Sequence, residues 1–295
     1  MSTEDVSPRF HDLDLWETAE ALKALHQDQQ AGVAAVGPAL PALAAAIDAA
    51  VPRLRAGGRL VYAGAGTSAR VGVQDGAELF PTFNWPKDKV AFVIAGGEGA
   101  LLGAIENAED SAADGASRMA EINAGPNDVV LALAASGSTP FTVAAVKAAR
   151  GRGALTVGIA NNPGSQLLAA SEHPILIETG EEAVAGSTRL KAGTAQKVVL
   201  NLFSTLDMVR LGRVYRGLMV HMRPTNAKLR HRAARMVATI TSCADDVADS
   251  AIAESEGDVK LAVLLACGFD LVAAKSLIEK HGGNLRLAMA EIAPR

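Results

Sequence analysis

The chain has 295 residues, room for one large α/β domain with a modest helical addition, and its 49% hydrophobic content is ample for a buried core. With 28 Lys and Arg against 32 Asp and Glu the net charge is −4, and with no long basic run and only 4% aromatic residues, nucleic acid is excluded as an expected partner. The N-terminus, MSTEDVSPRFHDLDLWETAE, is acidic and polar where a secretory leader is basic and then apolar, and no uninterrupted apolar run reaches membrane-span length, so the expectation is a soluble cytoplasmic protein without membrane contact.

Residues 1 to 36 contain one short helical pattern around Trp16 to Leu25 and suit a helical arm that packs on a neighbour. From Gly37, PALPALAAAIDAAVPRLRAGG has the spacing of an amphipathic helix, ended by Gly57 and Gly58. Five short apolar runs fit buried parallel strands: Leu60 to Ala63, Val90 to Ala95, Val129 to Ala134, Ala154 to Ile159 and Pro174 to Ile177. The helical segments between them predict a doubly wound, five-stranded parallel sheet, in which ligands bind beyond the carboxyl ends of the strands. A long helix is expected from Leu190 to Leu211 and another from near Thr225. The tail predicts three short helices, broken at Gly268 and at Gly282 and Gly283, so a domain over 37–240 is followed by a small helical module over 241–295.

Two turns rich in hydroxyls leave strand ends and enter helices. The first is GAGTSAR, in which Gly64 and Gly66 allow close backbone approach and Thr67 and Ser68 offer hydroxyls. A dinucleotide reading of this GxG pair fails, because no acidic residue closes the following strand, which runs into Gly96 and Gly97. The second turn holds Ser136, Ser138 and Thr139 before Pro140, whose fixed φ suits a helix's first turn. Unpaired amides and hydroxyls in such turns suit a phosphate, the lesser alternative being that Thr67 and Ser68 only cap the helix. A third cluster, Gly186, Ser187, Thr188 and Arg189, opens the long helix with the cations Arg189 and Lys191. Cations there oppose the macrodipole, so an anionic partner is expected beside them.

Glu78 lies ten residues after Ser68 on the same helix, flanked by Leu79 and Phe80, surroundings that favour acid/base work near neutrality. Glu109, in ENAED, is expected mid-helix among small residues. The six histidines show no metal-ligand spacing, and His281 in KHGGNLR fits a role in shaping a turn. Cys243 and Cys267 fall in apolar helical patterns and are expected to be buried and inert, matching neither a zinc site nor a disulfide framework. No metal or cofactor is called for.

GRLVYAGAGTSARVGVQDGAELFPTF, ALAASGSTPF, TVGIANNPGSQL, GSTRLKAGTAQKVVLNLFST, TNAKL and HGGNLR, in that order, resemble the N-acetylmuramic acid 6-phosphate etherase family of sugar isomerase (SIS) domains from about residue 37 to the end. The related glucokinase regulatory protein shares several of these signatures. The resemblance implies a homodimeric lyase acting on a phosphorylated amino sugar. The sugar opens, a base removes the C2 proton, lactate leaves from C3, and water adds to the unsaturated aldehyde. It further implies acid/base roles for Glu78 (DGAE) and Glu109 (NAED). The phosphate is placed near Ser68, Ser136, Ser138 and Thr139, with Thr67, Ser187 and Lys191 as further candidates. The chain departs from the family's usual pattern at Ala69, Leu79, Phe80 and the SPRFHDLD arm, which leaves open another phosphosugar isomerase or lyase, or a non-catalytic sugar-phosphate sensor.

Overall fold

Short, wholly apolar runs can be buried on both faces only in a parallel sheet covered by helices, and that is what they build. The computed structural model describes residues 2–103 and 105–292. It divides into two compact units: Met1–Ala77 with Lys87–Ser204, and Glu78–Pro86 with Thr205–Arg295.

The first unit holds five parallel strands, β1 (Leu60–Gly64), β2 (Val90–Ile94), β3 (Val129–Leu133), β4 (Leu155–Ala160) and β5 (His173–Leu176), in the order β2-β1-β3-β4-β5. Every residue of β1, β3 and β4 is buried. Seven α-helices among the described residues accompany the sheet: α1 (Thr18–Ala34), α2 (Leu40–Arg55), α3 (Gly66–Phe83), α4 (Ala112–Glu121), α5 (Pro140–Gly151), α6 (Gln166–Ala170) and α7 (Lys191–Arg210), with α3 and α7 ending in the second unit. The strand order reverses between β1 and β3, which pair in register from Leu60 with Val129 to Gly64 with Leu133. Such a switch point opens a crevice at the carboxyl ends of the two strands.

One stretch among the described residues, Thr18–Arg55, is long and apolar enough to cross a bilayer by length and composition alone. It is interrupted by a 310 turn at Gly37–Ala39, and Leu43, Ala46, Ile47, Ala50, Val51 and Leu54 of α2 are buried where that helix packs on β3, β4 and β5. The N-terminal segment folds onto its own chain: Thr3, fully buried, donates its amide to Asn162 Oδ1 (3.1 Å) and accepts from the Gly186 amide (3.1 Å).

Helix α3 is seated by a buried carboxylate. Asp75 accepts from the Tyr62 hydroxyl of β1 (2.8 Å) and from Asn201 Nδ2 (2.9 Å) and Ser204 Oγ (3.1 Å) of α7. Three donors on one buried carboxylate satisfy its lone pairs and set the height of α3 against its neighbours.

The second unit contains α8 (Ala227–Thr241), α9 (Asp245–Glu254), α10 (Val259–Ala266), α11 (Leu271–Lys280) and α12 (Leu285–Ile292). Side chains of Asn226, Asp258 and Asp270 cap the first turns of α8, α10 and α11. A core of Val220, Met222, Val237, Ile240, Ile252, Val263 and their neighbours lies between the helices. His281 ends α11 and pairs with Glu291 at 2.7 Å, the turn-shaping place expected of it. The expected burial of the cysteines fails: Cys243 is half-buried and Cys267, at the C-cap of α10, is exposed, although both are free thiols as expected.

Burial, and then the charges of Lys260, Arg213 and Arg223, lower the pKa of His221 to about 3. The unfolded side chain titrates near 6.5, so over this window the folded unit binds fewer protons than the unfolded one and loses stability as pH falls below about 6.5. Chemical denaturation of the second unit should therefore shift to lower denaturant between about pH 6.5 and pH 4, and His221→Asn should flatten that slope. Parallel slopes for the two proteins would contradict this assignment.

Candidate functional site

Both hydroxyl turns emerge at the β1/β3 switch point. The β1 turn enters α3, whose first backbone hydrogen bond runs from the Ala69 amide to the Ala65 carbonyl, so the Gly66, Thr67 and Ser68 amides precede the helical ladder. The β3 turn runs through Ser136, Gly137, Ser138 and Thr139 into α5. Gly137 has φ +69°, and a Cβ there would stand 2.2 Å from Ser165 Oγ, so only glycine fits this close crossing of the turn and the Asn162–Ser165 loop. Ser138 Oγ donates to Ser136 Oγ at 3.1 Å. Thr139 precedes α5 without capping it, and Pro140 has no amide. The Phe141 and Thr142 amides at the head of α5 therefore lack both an intrahelical acceptor and a capping side chain, the condition that favours an anion there.

Ser68 belongs to a buried polar chain that joins α3, α7 and the segments that follow β4 and β5. The Ile177 carbonyl can only accept, so it takes Asn161 Nδ2 (3.1 Å); Asn161 Oδ1 then accepts from Gln196 Nε2 (3.1 Å), and Gln196 Oε1 from Ser68 Oγ (2.9 Å). Ser68 is 7% exposed, whereas Ser138 is exposed and Ser136, Thr139, Thr67 and Ser187 are half-buried. Sequence reasoning missed Gln196 and Asn161; both stand in segments that carry the family resemblance, AGTAQK and IANNPGS, but no local spacing assigns them a partner.

Of the two cations at the head of α7, Lys191 finds its anion within the protein, whereas Arg189 is exposed. Glu182, wholly buried, accepts from the Lys191 amide (3.0 Å) and the Ala192 amide (2.9 Å), capping the helix with a carboxylate. Burial raises the Glu182 pKa above the ordinary carboxylate value, opposed by those two amides and by the Lys191 charge. Lys191, expected among the phosphate ligands, has its ammonium 2.8 Å from Asp28 Oδ1 of α1, with both side chains less than a tenth exposed. A Cβ on Gly32 would stand 2.9 Å from the Lys191 carbonyl, so α1 lies close against this helix start.

The two glutamates stand differently from expectation. Glu78 is exposed on α3, Leu79 beside it is buried and Phe80 is 44% exposed, so its own chain does not enclose it. Glu109 is in no helix: Asn107 turns the chain at φ +59°, Glu109 lies exposed in a 310 turn at Ala108–Asp110, and α4 begins only after the Ser111 cap. Among the described residues no group of three or more His, Cys, Asp or Glu is arranged to hold a metal ion.

A doubly wound sheet with hydroxyl turns at its switch point defines the class. The SIS domain model matches residues 107–206, and the model of the glucokinase regulatory protein N-terminal SIS domain matches residues 42–150. The structure of a phosphoheptose isomerase from Francisella tularensis superposes with a TM-score of 0.53 at 17% identity, covering 66% of this chain and 100% of that one, a likeness of fold. The chain is 50% identical over 290 residues to the N-acetylmuramic acid 6-phosphate etherase of Deinococcus radiodurans, covering 98% of this chain and 95% of the relative. It is 46% identical over 296 residues to that of Streptomyces avermitilis, covering 100% and 95%. The chain belongs to the N-acetylmuramic acid 6-phosphate etherase family.

Proposed function

We propose that this enzyme cleaves the D-lactyl ether of N-acetylmuramic acid 6-phosphate with water, giving N-acetylglucosamine 6-phosphate and D-lactate. The observation that carries the reading is the 50% identity over 98% of the chain to a relative of that name, with the hydroxyl turns and both glutamates present.

In the open-chain sugar the C1 aldehyde acidifies the C2 proton. A carboxylate removes it, the C3–O bond breaks, and the departing lactyl oxygen takes a proton. Water then adds at C3 of the unsaturated aldehyde and C2 regains a proton, so one water is consumed and no redox change occurs. The cycle needs one carboxylate and one carboxylic acid whose roles exchange between the halves, and we assign these roles to Glu78 and Glu109. The phosphate is assigned to Ser136, Ser138 and Thr139 at the head of α5, with Thr67, Ser68 and Ser187 as neighbours. Lys191 contributes by fixing the head of α7 through Asp28. No cofactor is part of this reading.

The homodimer belongs to the proposal: Leu202, Leu206 and Val209 are each more than a third exposed on α7 at helical spacing, an apolar stripe that a second copy would cover. A cytoplasmic location is likewise inferred, and neither nucleic acid nor membrane is a proposed partner.

Incubation with N-acetylmuramic acid 6-phosphate should release D-lactate. Ketose–aldose interconversion without lactate would point instead to an isomerase, and ligand binding without turnover to a sensor. Ser138→Ala should weaken phosphosugar binding by about 1.5 to 3 kcal/mol, the range for one hydrogen bond to a charged group. Titration calorimetry with N-acetylglucosamine 6-phosphate reads this directly, and unchanged affinity would misplace the phosphate.

A further inference from the structure

The segment carrying Glu109 is gripped at its base by an arginine that the reaction chemistry leaves unused. After β2 the chain turns at Gly96 and Gly97, where φ is +76° and +68°, and makes a 310 turn over Glu98–Leu101. Arg70 of α3, two residues beyond Ser68, reaches across to this turn: its Nε donates to the Leu101 carbonyl and its Nη2 to the Ala100 carbonyl, each at 3.0 Å. From α4, the guanidinium of Arg118, held by Asp114 at 2.8 Å, lies against Gly97, where a Cβ would stand 3.3 Å from Nη1. Past this base Leu102 is 100% exposed, Ile105 is 48% exposed with its side chain turned back toward Gly96, and the turn at Ala108–Asp110 packs on α5, with Ala108 against the buried core. The segment is clamped by Arg70 where it begins and rests on α5 where it carries Glu109.

We propose that Arg70 is a positioning residue of the reaction: it ties the segment between β2 and α4, and through it Glu109, to the first turn of α3. The proposal rests on the assignment of Glu109 given above. A planar guanidinium that meets two successive carbonyls fixes orientation as well as distance, and a lysine ammonium in its place keeps the charge but loses the fork. The same short stretch of α3 carries Ser68 and Arg70, so the phosphate turn and the Glu109 segment share one rigid support.

Steady-state kinetics with N-acetylmuramic acid 6-phosphate test this. Misplacement by about 1 Å can cost about a hundredfold in rate, so Arg70→Ala should lower kcat by about 10- to 100-fold. KM should change less than about threefold, the mark of an effect on the transition state alone, and Arg70→Lys should recover part of the loss. A second readout needs no turnover: in full-length protein, amide hydrogen exchange over 98–103 and 105–110 should accelerate in Arg70→Ala while that of α3 and β1 stays as in the parent. Unchanged exchange in that segment, an unchanged kcat, or a raised KM at normal kcat would overturn the proposal. Glu109→Gln separates the two ideas: if it keeps full turnover, the catalytic reading of Glu109 fails, and the exchange result still decides whether Arg70 holds the segment.

Discussion

Glu78→Gln is expected to keep phosphosugar affinity while lowering the rate of D-lactate release by about two to four powers of ten, the range associated with losing a general acid or base. The substitution keeps the size of the side chain and its hydrogen-bonding reach, and it removes only the ability to take up and return a proton. Neither the C2 proton nor the lactyl oxygen reacts readily without such a partner, because one is weakly acidic and the other leaves poorly as an alkoxide. The hydroxyl turns that would hold the phosphate are untouched, so binding of N-acetylglucosamine 6-phosphate by calorimetry should match the parent protein. A variant with unchanged turnover would remove Glu78 from the mechanism, and a variant that fails to bind would give it a different one.

The largest expected loss of stability comes from Asp28→Leu. Asp28 and Lys191 form a buried ion pair at 2.8 Å. Removing one partner leaves the Lys191 ammonium buried without its counter-charge, which costs about 3 to 5 kcal/mol. At roughly 2 to 4 °C per kcal/mol for a protein of this size, the thermal midpoint should drop by about 6 to 20 °C. The double variant Asp28→Leu with Lys191→Met should recover much of this, since replacing a whole buried pair by apolar groups is often neutral. Thermal melts followed by circular dichroism decide it: a single variant that melts with the parent, or a double variant that melts below the single one, would contradict the account.

Much of the architecture was legible in the sequence, for a physical reason. Parallel strands buried on both faces are apolar at nearly every position, so Leu60–Gly64, Val129–Leu133 and Leu155–Ala160, the last broken only by Thr156 whose hydroxyl accepts from the Glu172 amide, stand out as near-continuous runs. Glycines at Gly268 and Gly282–Gly283 punctuate the tail because helices stop there. Helix α9 escaped notice, since its buried face is largely alanine and gives little hydrophobic contrast.

The site was legible in its parts more than in its connections. Its two turns carry local signals, hydroxyls and glycines between a strand and a helix, and both appear at the switch point. The links between distant segments carry none: Ser68 meets Gln196 across 128 positions, Thr3 meets Asn162 across 159, and Lys191 meets Asp28 across 163. Which buried polar groups pair is decided by tertiary packing, so the anion expected at the head of α7 was foreseen while its identity as Glu182 and Asp28 was not. The misreading of Glu109 is local. ENAED has helix-favouring residues, but a left-handed Asn107 and a Ser111 cap start the helix three residues later than Glu109.

The chemistry is tested most directly by running the reaction on N-acetylmuramic acid 6-phosphate in oxygen-18 water and locating the label by mass spectrometry. Elimination from C3 followed by hydration predicts D-lactate without label and N-acetylglucosamine 6-phosphate carrying one heavy oxygen at C3. Labelled lactate, or a phosphosugar that emerges with its lactyl group intact, would contradict it.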